Sequence, residues 1–66
     1  MPARKIYRVD IPNQHLITLW QTGNNQFAVV YGTEEYVRLD YVGAAKQLGF
    51  SLMHALKCEG KIDNGR

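Results

Sequence analysis

Only one stretch of this chain, residues 41–59, repeats its apolar residues at helical spacing, and everything before it alternates in the manner of strands. One helix covers one face of a sheet. The constraint is sharp because the strands are themselves apolar on both sides, so the second face needs a cover that the chain does not supply.

Residues 5–11 (KIYRVDI) place Tyr7, Val9 and Ile11 on one side and Ile6, Arg8 and Asp10 on the other. Pro12 and Asn13 end this strand, because proline donates no ladder hydrogen bond and asparagine favours turns. Residues 15–22 (HLITLWQT) and 26–31 (QFAVVY) are rich in β-branched and aromatic side chains. Between them stand Gly23, Asn24 and Asn25, all tolerant of positive φ, and a tight hairpin is predicted there. A turn at 32–35 leads to a short fourth strand at 36–39 (YVRL).

Asp40 suits an N-cap and Gly60 a C′ position, so the helix is expected over 41–59, about 28 Å long at 1.5 Å per residue. At 100° per step Tyr41, Ala45, Leu48, Leu52, Ala55 and Leu56 form its apolar stripe, with Gln47, Ser51, His54 and Cys58 roughly opposite. Gly43 and Gly49 each weaken a helix by about 1 kcal/mol relative to alanine. Ala45 and Gly49, four apart, offer a packing reason, a close approach to the sheet. Residues 61–66 carry no period and are expected to fray. The expected fold is α+β: an antiparallel meander of three to four strands with one C-terminal helix packed across one face. It forms a single domain over 1–66, since a chain this short does not divide between two cores.

With Asn24 and Asn25 as a two-residue loop, Thr22 opposes Phe27 and Trp20 opposes Val29. One face then gathers Leu16, Trp20, Phe27, Val29 and Tyr31, and the other Ile17, Leu19, Ala28 and Val30. A three-residue loop redistributes them, because strand parity is strict. The smaller residues suit helix contact, which assigns α-helical cover to the aliphatic face and leaves Trp20, Phe27 and Tyr31 open. The alternative is a strongly twisted sheet whose small core consumes both sets. Phe50 projects away from the helix's apolar stripe among Lys46, Met53 and Lys57, a mixture of aromatic, thioether and basic groups that binding surfaces favour.

Composition removes several classes. At 45% apolar residues and a net charge of +2, the chain is not of the disordered type. One cysteine, Cys58, excludes an internal disulfide framework and suits a reducing compartment. No apolar run has the length of a membrane span, and the segment MPARKIYR lacks the apolar core of a secretion signal, so a cytoplasmic location is expected. Ser51, His54 and Cys58 lie at spacings of three and four on one helix surface, which does not converge on a pocket. His54 and Cys58 make half of a tetrahedral zinc site with no second pair. The motifs GxGxxG and GxxxxGK are absent. No enzymatic activity, metal or cofactor is expected.

The leading expectation is a small non-enzymatic protein-interaction module, an adaptor or inhibitor that occludes a partner surface. Trp20, Tyr31, Phe27, Phe50, Met53, Lys46 and Lys57 are its expected contact residues, because large aromatics dominate interface energetics. Small inhibitors of mobile elements offer the biological analogy, and a homodimer is compatible with it. The alternative is a nucleic-acid-binding regulator, with Arg4, Lys5, Arg8 and Arg38 on phosphates and Tyr36, Tyr7 and Trp20 stacking on bases. A three-stranded sheet followed by a helix is similar in topology alone to integrase arm-binding domains, whose sheet enters the major groove. Asp10, Glu34 and Glu35 interrupt the basic surface and place this alternative second.

Overall fold

The computed structural model describes residues 3–13 and 15–62. Strands β1 (Arg4–Val9), β2 (Ile17–Gly23), β3 (Gln26–Tyr31) and β4 (Glu34–Leu39) form one antiparallel sheet in the order β1-β2-β3-β4, and helix α1 (Tyr41–Cys58) follows. This is the expected α+β meander. β1 stops at Val9, so Ile11 leaves the ladder and joins the core with Ile17, Val29 and Ala55. β4 starts at Glu34 because Gly32, at φ 63°, completes the turn within two residues. Of the tail expected to fray, residues 63–66 lie outside the described residues, whereas the Lys61 amide is tied into the helix end.

The hairpin between β2 and β3 decides what faces what. Its loop is Asn24-Asn25, closed by the pair Gly23 and Gln26, with Asn25 in the left-handed region at φ 54°. A bulge between Gln21 and Gly23 then slips the pairing by one residue, so that Trp20 opposes Ala28, Leu19 opposes Val29 and Ile17 opposes Tyr31. The slip reverses the expected parity. Phe27, Val29 and Tyr31 now share a face with Ile17 and Leu19, and α1 lies over that face. Trp20 stays on the uncovered face, as expected, but beside Thr18, Ala28 and Val30. Phe27 and Tyr31 are not open with it; both are half-buried on the helix side.

The helix meets the sheet through its smallest residues. Ala44, Ser51 and Ala55 are its buried positions, about 70° round from the expected leucine-centred stripe. Tyr41 is consequently 71% exposed, Ala45 faces solvent, and Ser51, expected on the polar side, is only 3% exposed. Leu48, Leu52 and Leu56 pack against the core from one flank. A Cβ built on Gly49 meets nothing within 4 Å, so close approach does not explain that glycine.

Both ends of α1 are closed by hydrogen bonds. Asp40, extended at φ −84° and ψ −175°, accepts from the Gly43 amide through Oδ1 at 2.7 Å. The Asn25 side chain accepts from the Tyr41 amide at 3.0 Å, which ties the β2–β3 turn to the first turn of the helix. At the other end Lys61 N–H donates to Leu56 O at 2.9 Å and Gly60 N–H to Lys57 O at 3.0 Å, with Gly60 at φ 82°, a Schellman closure.

Two glycine substitutions test this packing in opposite directions. Gly49→Ala should raise the free energy of unfolding by about 1 kcal/mol, because the added methyl enters open space on a helix. Gly32→Ala should lower it by at least about 1 kcal/mol, since its Cβ would meet His15 Cγ at 2.8 Å from a left-handed backbone. Urea denaturation of the two variants beside the parent chain checks both.

Candidate functional site

Three surfaces carry the residues that the sequence singles out. The first is the outward side of α1. Steps of 100° place Val42, Lys46, Phe50, Met53 and Lys57 along one line facing away from the sheet. Val42, Phe50 and Met53 are exposed at 56%, 69% and 55%, and both lysines are exposed. Four of the expected contact residues, Phe50, Met53, Lys46 and Lys57, thus form one continuous surface. Trp20 lies on the far side of the molecule.

The second surface is the sheet face that α1 leaves open. Register puts Lys5 opposite Trp20 and Arg8 opposite Thr18, so both bases emerge beside the indole. Lys5 Nζ stands 5.9 Å from the Trp20 ring centre, and Trp20 Nε1 donates to Thr18 Oγ1 at 2.9 Å. Thr18 and Ala28 are buried on this open face, so neighbouring side chains cover part of it without a second helix. The other expected nucleic-acid contacts are dispersed. Arg4 pairs with Gln21 and donates to its Oε1 at 3.0 Å, while Tyr7 and Tyr36 pair with Leu19 and Val29, residues of the helix side. Arg38, in the left-handed region at φ 61°, sits in the β4 bulge opposite Ala28. Arg8 is joined to Asp10 at 2.9 Å.

The third surface is a cleft of about 450 Å³ between α1 and the β3–β4 hairpin. Ser51 and His54 line it, so that side of the helix does border a pocket, contrary to expectation; Cys58 is not among the lining residues. Tyr31 is the centre of an aromatic row, edge-on to His15 at 6.2 Å and to His54 at 6.1 Å between ring centres. Tyr36 donates its hydroxyl proton to Glu34 Oε1. Gln47 Nε2 donates to Ser51 Oγ at 3.2 Å, which satisfies the buried hydroxyl as an acceptor. The cleft was hidden from the sequence because its walls come from the turn before β2, from β3–β4 and from α1. The one available signal was the polar flank of Gln47, Ser51 and His54, which lies more than a third of a turn from the leucines.

Cys58 Sγ lies 3.6 Å from His54 Nε2, the expected i, i+4 pair. Among the described residues no group of three His, Cys, Asp or Glu side chains is placed to hold a metal ion. Among the same residues no helix is long and apolar enough to cross a membrane. No family model, curated protein or solved structure matches this chain.

Two phenols in the cleft resist ionisation. Burial raises the Tyr31 pKa above its ordinary value, helped by the charges of Cys58 and Glu34. The hydrogen bond to Glu34 raises that of Tyr36, with burial and the same carboxylate adding to it. Neutral phenols are therefore favoured in the folded state. Their stabilisation is fully present below pH 10.0 and is lost as pH rises through the elevated folded values. An absorbance titration of tyrosinate should show two of the four tyrosines ionising late, and Tyr36→Phe should remove one of those two.

Proposed function

We propose that this chain is a small non-enzymatic interaction module that occludes the surface of a partner protein with the outward side of α1. The supporting observation is the line of Val42, Phe50 and Met53, each more than half exposed, with Lys46 and Lys57 on either side of Phe50 and Met53. An apolar stripe on the solvent side of a helix has no role in this chain's own core. Phe50 and Met53 present an aromatic and a deformable thioether, the types that anchor helix-in-groove contacts. The fitting partner offers an apolar groove with acidic rims.

Charge argues for a different protein over a second copy. Two copies of α1 packed antiparallel about Phe50 and Met53 would set Lys46 of one against Lys57 of the other, a repulsive juxtaposition. Edge pairing is also discouraged, since β1 and β4 each carry a bulge and charged side chains, devices that keep edges apart. A non-enzymatic role is favoured by the placement of the nucleophiles. Ser51 is buried, and Cys58 is not among the residues that line the cleft.

A second reading uses the open sheet face, because Lys5 and Arg8 flank Trp20 there. That pairing of bases with an aromatic platform suits single-stranded nucleic acid. It ranks second because Asp10 engages Arg8 and because Glu35 pairs with Val30 on the same face.

Photo-crosslinking in the native cell separates the two. A photoreactive residue at position 53 should give a discrete protein adduct, lost with Phe50→Ala, which is expected to weaken binding by about 2 kcal/mol or roughly thirtyfold. Adducts formed only from position 20, or nucleic-acid adducts whose yield collapses in moderate salt, would favour the second reading.

A further inference from the structure

The two flanks of α1 are built unequally, and the difference has a chemical meaning. On one side Leu48, Leu52 and Leu56 pack against the core, and the space left open beside Leu48, about 250 Å³ along Ile6, Leu19, Phe27 and Ala44, is smaller and apolar. On the other Gln47, Ser51 and His54 leave the cleft of about 450 Å³ unfilled. A chain of 66 residues with so small a core gives up stability by keeping such a space open. Its volume lies within the range that small-molecule sites occupy, about 300–1,000 Å³.

The lining selects for one charge type. Tyr31, Tyr36 and Phe50 bring three carbocyclic rings to the cleft, and Glu34 brings a carboxylate. Among the described residues no lysine or arginine lines it. His15 and His54 add imidazole rings. Aromatic faces carry negative quadrupole potential and attract cations, most effectively those that shed water easily, such as alkylated ammonium groups. Glu34 supplies the countercharge, held in place by the Tyr36 hydroxyl.

We propose that the cleft between α1 and the β3–β4 hairpin binds a methylated ammonium group, enclosed by Tyr31, Tyr36 and Phe50 and balanced by Glu34. That chemistry occurs in free quaternary amines and in methylated lysine side chains. The proposal stands apart from the docking role of α1: Phe50 serves both, whereas Glu34 serves only the cleft.

The test is an NMR titration of the isotope-labelled full chain at pH 8. The probes are choline, its uncharged carbon isostere 3,3-dimethylbutan-1-ol, and a short peptide carrying trimethyllysine or unmodified lysine. Choline or the methylated peptide should shift the Thr33, Glu34 and Ser51 amides saturably, at least tenfold more tightly than the isostere. Glu34→Gln, which keeps an acceptor for Tyr36, should weaken binding at least tenfold while the rest of the spectrum stays unchanged. Tighter binding of the methylated peptide assigns the group to a protein side chain, and equal or tighter binding of choline assigns it to a free amine. The proposal is overturned if the isostere binds as well as choline. It is equally overturned if no probe gives saturable shifts at millimolar concentration, or if the shifts map to the Trp20 face.

Discussion

The seating of α1 on the sheet through Ala44, Ser51 and Ala55 determines most of what this molecule presents to its surroundings. Three small residues along the contact let the helix backbone lie close over β3, with Ala55 in the core beside Ile17, Val29 and Ile11. A helix that meets the sheet on its smallest side chains must send its larger ones elsewhere. The leucines lean over one flank, and Phe50 and Met53 are turned to solvent. The rotation is thus a packing choice in the core with a consequence at the surface.

The same seating makes the two flanks of the helix chemically distinct. Where Leu48, Leu52 and Leu56 pack against the core, the structure gains apolar burial. Where Gln47, Ser51 and His54 stand, the space between helix and hairpin stays open and is lined by rings and a carboxylate. Asn25 holds this geometry at the helix start, since one side chain both shapes a turn and accepts the first helical amide. The Schellman closure at Gly60 holds it at the other end.

Elements were legible in the sequence to within a few residues. Asp40, Gly60 and the Asn24-Asn25 loop act as their residue types suggest, and the 26–31 strand and the helix start coincide with β3 and α1. Facing was harder. One extra residue in β2, between Gln21 and Gly23, reverses which β3 residues share a side with Trp20, and no residue type marks that bulge. Phe27 and Tyr31 changed sides for that reason. The helix phase was obscured because leucines dominate any hydrophobic average, whereas closeness of packing selects alanine and serine. Phe50, Met53, Lys46 and Lys57 are exposed with either choice of buried stripe, since they lie away from both. The cleft depends on contacts distant in sequence, and only its helical wall was visible beforehand.

A nuclear Overhauser spectrum of the methyl and indole protons tests the seating of α1 most directly. Cross-peaks should join the Ala55 methyl to those of Ile17 and Val29, and none should join the Trp20 indole to any side chain of α1. Contacts between Trp20 and the helix, with Ala55 free of Ile17 and Val29, would mean that α1 covers the opposite face. The outward stripe and the cleft would then both be wrongly placed.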